Sequence, residues 1–189
     1  MKIGLDLDGV VANSLPHVIK VLDRSFPQKF AQGDHFDLAR YYGVPREEIG
    51  RVITERAEEV FGEAEMVAGA AAGIAWLEKN GYEMIYVTAR KAGREEEVTR
   101  AWLEGHGLDP RRLFCVSGGP KAEVALAENV EVFVDDFLSN AGQIAAVGVP
   151  VLLLDAFYNR TEKELPLVTR CKDWGDIRRA VAALTKDKD

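Results

Sequence analysis

The sequence predicts an α/β fold: a Rossmann-like, doubly wound parallel sheet of about five strands, with a small helical cap inserted after the first strand. Three observations carry this reading. Short apolar runs, each ending in polar residues, alternate with stretches of helical periodicity. The first and second runs are separated by a long segment with helical or irregular patterning and no strand signal. A chain of 189 residues, 47% hydrophobic, can bury one core and carry a modest insertion. Residues 1–13 and 69–189 are therefore expected to form the α/β core, and residues 14–68 the helical cap.

Met1-Lys2-Ile3-Gly4-Leu5 reads as the first strand, with apolar residues at positions 3, 5 and 7. Ser14-Leu15-Pro16 reads as a helix start, with serine as cap and proline in the first turn. Val18, Ile19 and Leu22 continue at helical spacing. An irregular stretch from Phe26-Pro27 through Gly33 leads to Phe36 and Tyr42-Gly43. Pro45-Arg46-Glu47-Glu48 opens the next helix, its acids placed where the helix dipole favours them. Ile49, Val52, Ile53, Val60 and Phe61 give that helix its apolar face.

Beyond the cap, helix and strand alternate. Helices are expected over Ala70 to Asn80, Glu95 to His106, Pro120 to Ala127 and Ser139 to Val147. Gly81, Gly107 and Gly148 stop three of them. Strands are expected at Met84-Ile85-Tyr86-Val87, Leu113-Phe114-Cys115-Val116, Val130 to Val134 and Val151-Leu152-Leu153-Leu154. Asp173 is placed to cap a last helix through Leu184. This alternation implies parallel strands covered on both faces.

Composition narrows the function. A net charge of −7 and a pI of about 5.1 argue against a nucleic-acid polymer as partner, which would select a basic face. A small anionic substrate remains compatible, because a metal and a few local cations outweigh a global field. Cys115 and Cys171 have no CxxC spacing and make no disulfide framework, which points to a reducing, cytoplasmic setting. Asp6 and Asp8 interrupt what would be the apolar core of a signal peptide, and no apolar run has membrane-spanning length. No membrane partner is expected, and a homo-oligomer is left open.

The chemistry-bearing residues lie where strands end. Asp6 and Asp8, Thr88, Ser117, and Asp135 with Asp136 each follow an apolar run. Parallel strands finish on one edge, so these groups converge there. Lys121 starts a helix close to that edge, after Ser117-Gly118-Gly119-Pro120. Carboxylates side by side resist desolvation unless a cation sits among them or one of them is protonated. An oxygen-rich set suits Mg²⁺ and substrate phosphate together, with threonine and lysine serving further phosphate oxygens.

Asp6-x-Asp8-Gly9-Val10, Thr88 after a strand, Lys121 and the Asp135-Asp136 pair resemble, in order and over the whole chain, the four motifs of the haloacid dehalogenase (HAD) superfamily. The opening from Asp6 to Ser14, the helical insertion, Val87-Thr88-Ala89-Arg90 and Tyr158-Asn159-Arg160 are similar to its 5′(3′)-deoxyribonucleotidase branch. The resemblance implies a Mg²⁺-dependent phosphatase, a phosphoric monoester hydrolase of 5′-nucleotidase type. Asp6 would attack phosphorus and form an aspartyl-phosphate, and Asp8 would protonate the leaving alcohol and then activate water. The Thr88-Ala89-Arg90 segment and Lys121 would hold the phosphate. Asp6, the Asp8 carbonyl and the Asp135-Asp136 pair would bind Mg²⁺, with Asp136 direct and Asp135 the outer partner. Dehalogenases lack an aspartate at the position of Asp8, and transport ATPases carry threonine there, so within the superfamily Asp8 points to a phosphatase. The alternatives are a phosphatase for another small metabolite, such as a sugar phosphate, and a non-catalytic protein that binds a phosphorylated ligand.

Several of these residues also have ordinary structural readings. Thr88 can close a strand, Arg90 can be a solvated loop cation, and Tyr158-Asn159-Arg160 can be a turn. Phe26, Phe30, Phe36, Tyr41, Tyr42 and Phe61 read as a small lid core rather than a base-stacking platform. His17, His35 and His106 show no ligand spacing, and Trp76, Trp102 and Trp174 read as packing residues.

Overall fold

The computed structural model describes residues 1–26, 37–160 and 165–186. The expectations for Pro27 through Gly33, Phe30, His35 and Phe36 lie outside the described residues. Six strands form one sheet: β1 (Lys2–Leu5), β2 (Glu83–Thr88), β3 (Leu113–Cys115), β4 (Val132–Asp135), β5 (Val151–Leu154) and β6 (Val168–Cys171). All neighbours are parallel, in the order β3-β2-β1-β4-β5-β6. That is the doubly wound order, and it reverses direction beside β1, where ligands bind in such sheets. β6 extends the expected set of about five. It is an edge strand whose Thr169 and Arg170 are exposed, so it lacks the apolar run that marks the others.

Among the described residues, eight α-helices follow in chain order. They are α1 (Leu15–Ser25), α2 (Leu38–Tyr42), α3 (Arg46–Glu55), α4 (Ala70–Lys79), α5 (Arg94–Gly105), α6 (Lys121–Ala127), α7 (Leu138–Ala146) and α8 (Trp174–Lys186). Period-two alternation splits each central strand between the two faces of the sheet. Ile3, Leu5, Met84, Tyr86, Val132, Val134, Leu152 and Leu154 pack with α4, α5 and α8. Ile85, Val87, Phe133, Val151 and Leu153 pack with α6 and α7. Gly4 lies where any side chain would run into the Phe133 ring. Asp173 Oδ1 accepts from the Asp176 amide at 2.9 Å, as expected of a helix cap.

Between β1 and β2, the described helices gather around Val18, Val21, Leu22, Tyr42, Ile49, Val52, Val60 and Phe61, together with Val98 of α5. Two local expectations change here. Ser14 precedes α1 but makes no side-chain cap; its hydroxyl bonds Asp8 instead. The expected helix from Pro45 to Phe61 is also not one α-helix. It stops at Glu55, and Glu58–Gly62 forms a wider π-helical turn in which the Glu63 amide bonds the Glu58 carbonyl at 3.0 Å. Among the described residues no helix is long and apolar enough to cross a membrane.

Candidate active site

Asp6 follows β1 directly, and its amide bonds the Val134 carbonyl at 2.9 Å, fixing the acidic stretch against β4. Gly9 then turns with φ of +78°, and a side chain there would strike the Asp136 carboxylate. The indole of Trp174 donates to the Val10 carbonyl at 2.9 Å, which ties the loop to α8. Trp102 likewise donates to the Ala64 carbonyl at 2.6 Å. His106 ends α5 and stacks on Trp102, with ring centroids 4.1 Å apart.

Lys121, at the start of α6, is 4% exposed. Its Nζ lies 2.5 Å from Asp6 Oδ2 and 2.8 Å from Asp135 Oδ2. Burial opposes its charge, but the two carboxylates outweigh this and push its pKa upward. The other Asp135 oxygen accepts from the Phe137 amide at 2.8 Å and from Asn140 at 3.3 Å. Asp135 is therefore spoken for on both oxygens. Asp136 is 5% exposed, its Oδ2 accepts the Tyr158 hydroxyl, and it lines the central cavity. Burial, reinforced by Asp135, pushes Asp136 up to about 7. Burial likewise raises Asp6 well above the usual carboxylate range, against the pull of Lys121.

Asp8 is in a different state. Arg90 Nε and Nη2 grip its two carboxylate oxygens at 3.1 and 2.7 Å, and Ser14 donates to Oδ1 at 2.5 Å. Burial opposes ionisation, but the guanidinium and the hydroxyl outweigh it and hold Asp8 below its ordinary value. Arg90 is not a solvated loop cation: it is 3% exposed, donates to Thr99 at 2.8 Å, and lies 4.0 Å from the centre of the Phe61 ring. The wider turn at Glu58–Gly62 thus carries a residue that covers the partner of Asp8.

Asp6, Asp8, Ala89, Arg90, Lys121 and Asp136 all line one cavity of about 360 Å³. Thr88 and Asp135 do not. Thr88 is fully buried, and its hydroxyl accepts from the Arg90 amide at 3.3 Å, consistent with a role in closing the strand. The remaining wall is largely apolar: Leu15, Val18, Leu38, Ile53 and Phe61 from the helices after β1, and Phe137 from the core. Tyr42 is buried in the lid cluster and Tyr41 packs against it with rings 4.9 Å apart, so neither lines the cavity. Sequence reasoning missed Ser14 as a partner of Asp8, Asn140 as a partner of Asp135, and the hydroxyl of Tyr158. Tyr158 had a signal as part of the Tyr158-Asn159-Arg160 string and Ser14 as the end of the opening from Asp6 to Ser14, whereas Asn140 had none.

Oxygens of Asp6, Asp135 and Asp136 come within 4.8 Å of one another, and all three residues are buried. An all-carboxylate set of this size fits a hard divalent cation. No family model matches the chain. Across 187 residues it is 29% identical to “Putative nucleotidase BH1399” of Halalkalibacterium halodurans, covering 93% of this chain and 92% of that protein. It is 26% identical across 180 residues to “Putative nucleotidase YqfW” of Bacillus subtilis, covering 92% and 90%. The structure superimposes with a TM-score of 0.66 on a HAD family hydrolase from Deinococcus radiodurans with bound phosphate and sodium, at 16% identity and over 96% and 95% of the two chains. The chain therefore has the fold of the haloacid dehalogenase-like hydrolases, and along nearly its whole length it resembles proteins named as nucleotidases.

Proposed function

We propose that the protein is a phosphoric monoester hydrolase that uses Mg²⁺ and an aspartyl-phosphate intermediate, with nucleoside monophosphates as its substrate class. The observation that carries this reading is the convergence of Asp6, Asp8, Lys121 and Asp136 on one cavity. Asp6 and Asp136 carboxylates with the Asp8 carbonyl would hold the cation, and Asp135 would orient them from outside. When bound, the cation neutralises phosphate oxygens.

The Asp6 carboxylate attacks phosphorus, and the bond from phosphorus to the leaving oxygen breaks. Arg90 keeps Asp8 ionised in the free protein, so Asp8 takes up the proton carried by a phosphate monoanion and hands it to the departing alcohol. In the second step Asp8 removes a proton from water, whose oxygen attacks the phosphorus and releases Asp6. Lys121, already against Asp6, neutralises the phosphoryl group as it transfers.

Residues 14–68 act as the cap that selects substrate. Their apolar wall suits the planar face of a base and offers little to the hydroxyls of a sugar phosphate. The absence of a disulfide in the described residues, where Cys115 and Cys171 are free thiols, suits a cytoplasmic enzyme. The test is a screen of nucleoside monophosphates and sugar phosphates with purified protein and Mg²⁺. Nucleotide turnover above that of sugar phosphates is expected. Preference for a sugar phosphate would overturn the substrate class, and binding without turnover of any ester would favour the non-catalytic alternative.

A further inference from the structure

Asn159 is 2% exposed and belongs to no strand or helix, yet all its amide's polar atoms are used. Its Nδ2 donates to the Leu154 carbonyl and to the Asp136 carbonyl, both at 2.7 Å. Its Oδ1 accepts from the Ala156 amide at 3.2 Å and from Arg170 Nη1 at 2.6 Å. Arg170 also donates to the Asn159 carbonyl at 2.9 Å and to Asp155 Oδ1 at 2.7 Å. One side-chain amide thus joins the end of β4, the end of β5 and the edge strand β6. The residue before it, Tyr158, places its hydroxyl on the Asp136 carboxylate.

The two adjacent carboxylates at the end of β4 are secured by different means. Lys121, Asn140 and a backbone amide hold Asp135 by its side chain. Asp136 is held through its main-chain carbonyl by Asn159, while its side chain turns toward Gly9 and the cavity. Fixing the main chain there fixes the direction in which the carboxylate projects.

We propose that Asn159, braced by Arg170, is a positioning residue that aims the Asp136 carboxylate at a divalent cation, with Tyr158 as the outer hydrogen-bond donor to that ligand. The inference rests on the cation reading given above. Partners of this kind typically contribute 10–100-fold to metal affinity.

The probe is Mn²⁺, titrated into metal-stripped protein and followed by the loss of the free-ion paramagnetic resonance signal. Asn159→Ala should raise the Mn²⁺ Kd by about 10–100-fold, and Arg170→Ala by about tenfold, the low end of the same range. Ile177→Val, a core change in α8, provides the control: it lowers stability but should leave the Mn²⁺ Kd of the folded protein unchanged. Should Asn159→Ala not fold, Arg170→Ala carries the test, because its side chain lies at the edge and its removal takes away the brace on Asn159. Unchanged Mn²⁺ affinity in the folded variants overturns the role of Asn159 while leaving the cation site intact. Failure of the wild-type protein to bind Mn²⁺ overturns the cation reading itself, and this inference with it.

Discussion

Replacing Asp136 by asparagine should make the metal-free protein more stable, and more so at pH 8 than at pH 5. Burial and the neighbouring Asp135 raise the Asp136 carboxyl from its ordinary 3.8 to about 7. The folded state thus binds this proton more tightly than the unfolded state does, so stability falls as pH rises from about 4 to about 7 and then levels off. By pH 8 the raised pKa costs up to about 4 kcal/mol, against about 2 kcal/mol at pH 5, where the unfolded carboxyl ionises and the folded one keeps its proton. The asparagine amide resembles the neutral acid in shape and still accepts the Tyr158 hydroxyl. If half the upper figure is realised, ~2 kcal/mol, the melting temperature in EDTA should rise by ~4–8 °C at pH 8. The gain should shrink at pH 5, and Mg²⁺ should reverse the ranking at pH 8 by stabilising the wild-type protein more strongly. Thermal denaturation at both pH values, with EDTA and with Mg²⁺, reads all of this. A variant no more stable than wild type at pH 8, or equally stabilised at both pH values, would falsify the electrostatic account of Asp136.

Asp6→Asn should abolish turnover and phosphoenzyme, whereas Asp8→Asn should slow both steps by ~10²–10⁴-fold and let phosphoenzyme build up with a good leaving group. Rapid quench with labelled substrate locates the phosphate, and a label on any residue other than Asp6 contradicts the assignment. Mn²⁺ affinity should drop by up to ~tenfold per pH unit below about 7, because the Asp136 proton competes with the ion, and level off above it; a flat profile from pH 5 to 8 in direct titrations would argue against Asp136 as ligand. Arg90→Lys loses the two-point grip on Asp8 and should lower kcat by ~10²-fold through misplacement, with little change in the Mn²⁺ Kd; unchanged kcat would remove Arg90 from the mechanism. Ile53→Ala should shift relative kcat/KM among nucleotides by ~10-fold or more while sparing a minimal ester such as methyl phosphate, and equal losses on every substrate would count against a selecting cap.

What could be read from the sequence was whatever depends on local pattern. Strands buried on both faces show as apolar runs, and the acids that end them stand out because an apolar segment leads straight into them. The edge strand β6 escapes that logic: only its Cys171 is buried, and Thr169 and Arg170 face outward. Ser14 shows a local rule overridden by a stronger interaction. As a helix cap it would have bonded a neutral amide; instead it bonds a charged carboxylate, roughly twice as strong an interaction. Arg90 and Tyr158 were ambiguous because their partners are distant in sequence, 82 positions away for Asp8 and 22 for Asp136.

The pairing of charges gives the site its chemical logic. Arg90 serves Asp8, and Lys121 is shared between Asp6 and Asp135. Asp136 has a tyrosine hydroxyl and no cationic partner in these pairs. Four carboxylates stand against two cationic side chains, and the two negative charges in excess when all four ionise are what a single divalent ion would balance. Burial raises Asp6 and Asp136, and the neighbouring carboxylates add to the rise, whereas at Asp8 the Arg90 guanidinium outweighs burial and lowers it. The same distribution separates their tasks. A bidentate arginine favours the ionised form of Asp8 and fixes its orientation, as the proposed proton transfer requires, and Lys121 stands beside Asp6, where the proposed mechanism would place the phosphoryl group. In the proposed reaction Asp136, aimed from behind by Asn159, would offer its oxygen to the cation that makes an incoming phosphate tolerable among so many acids.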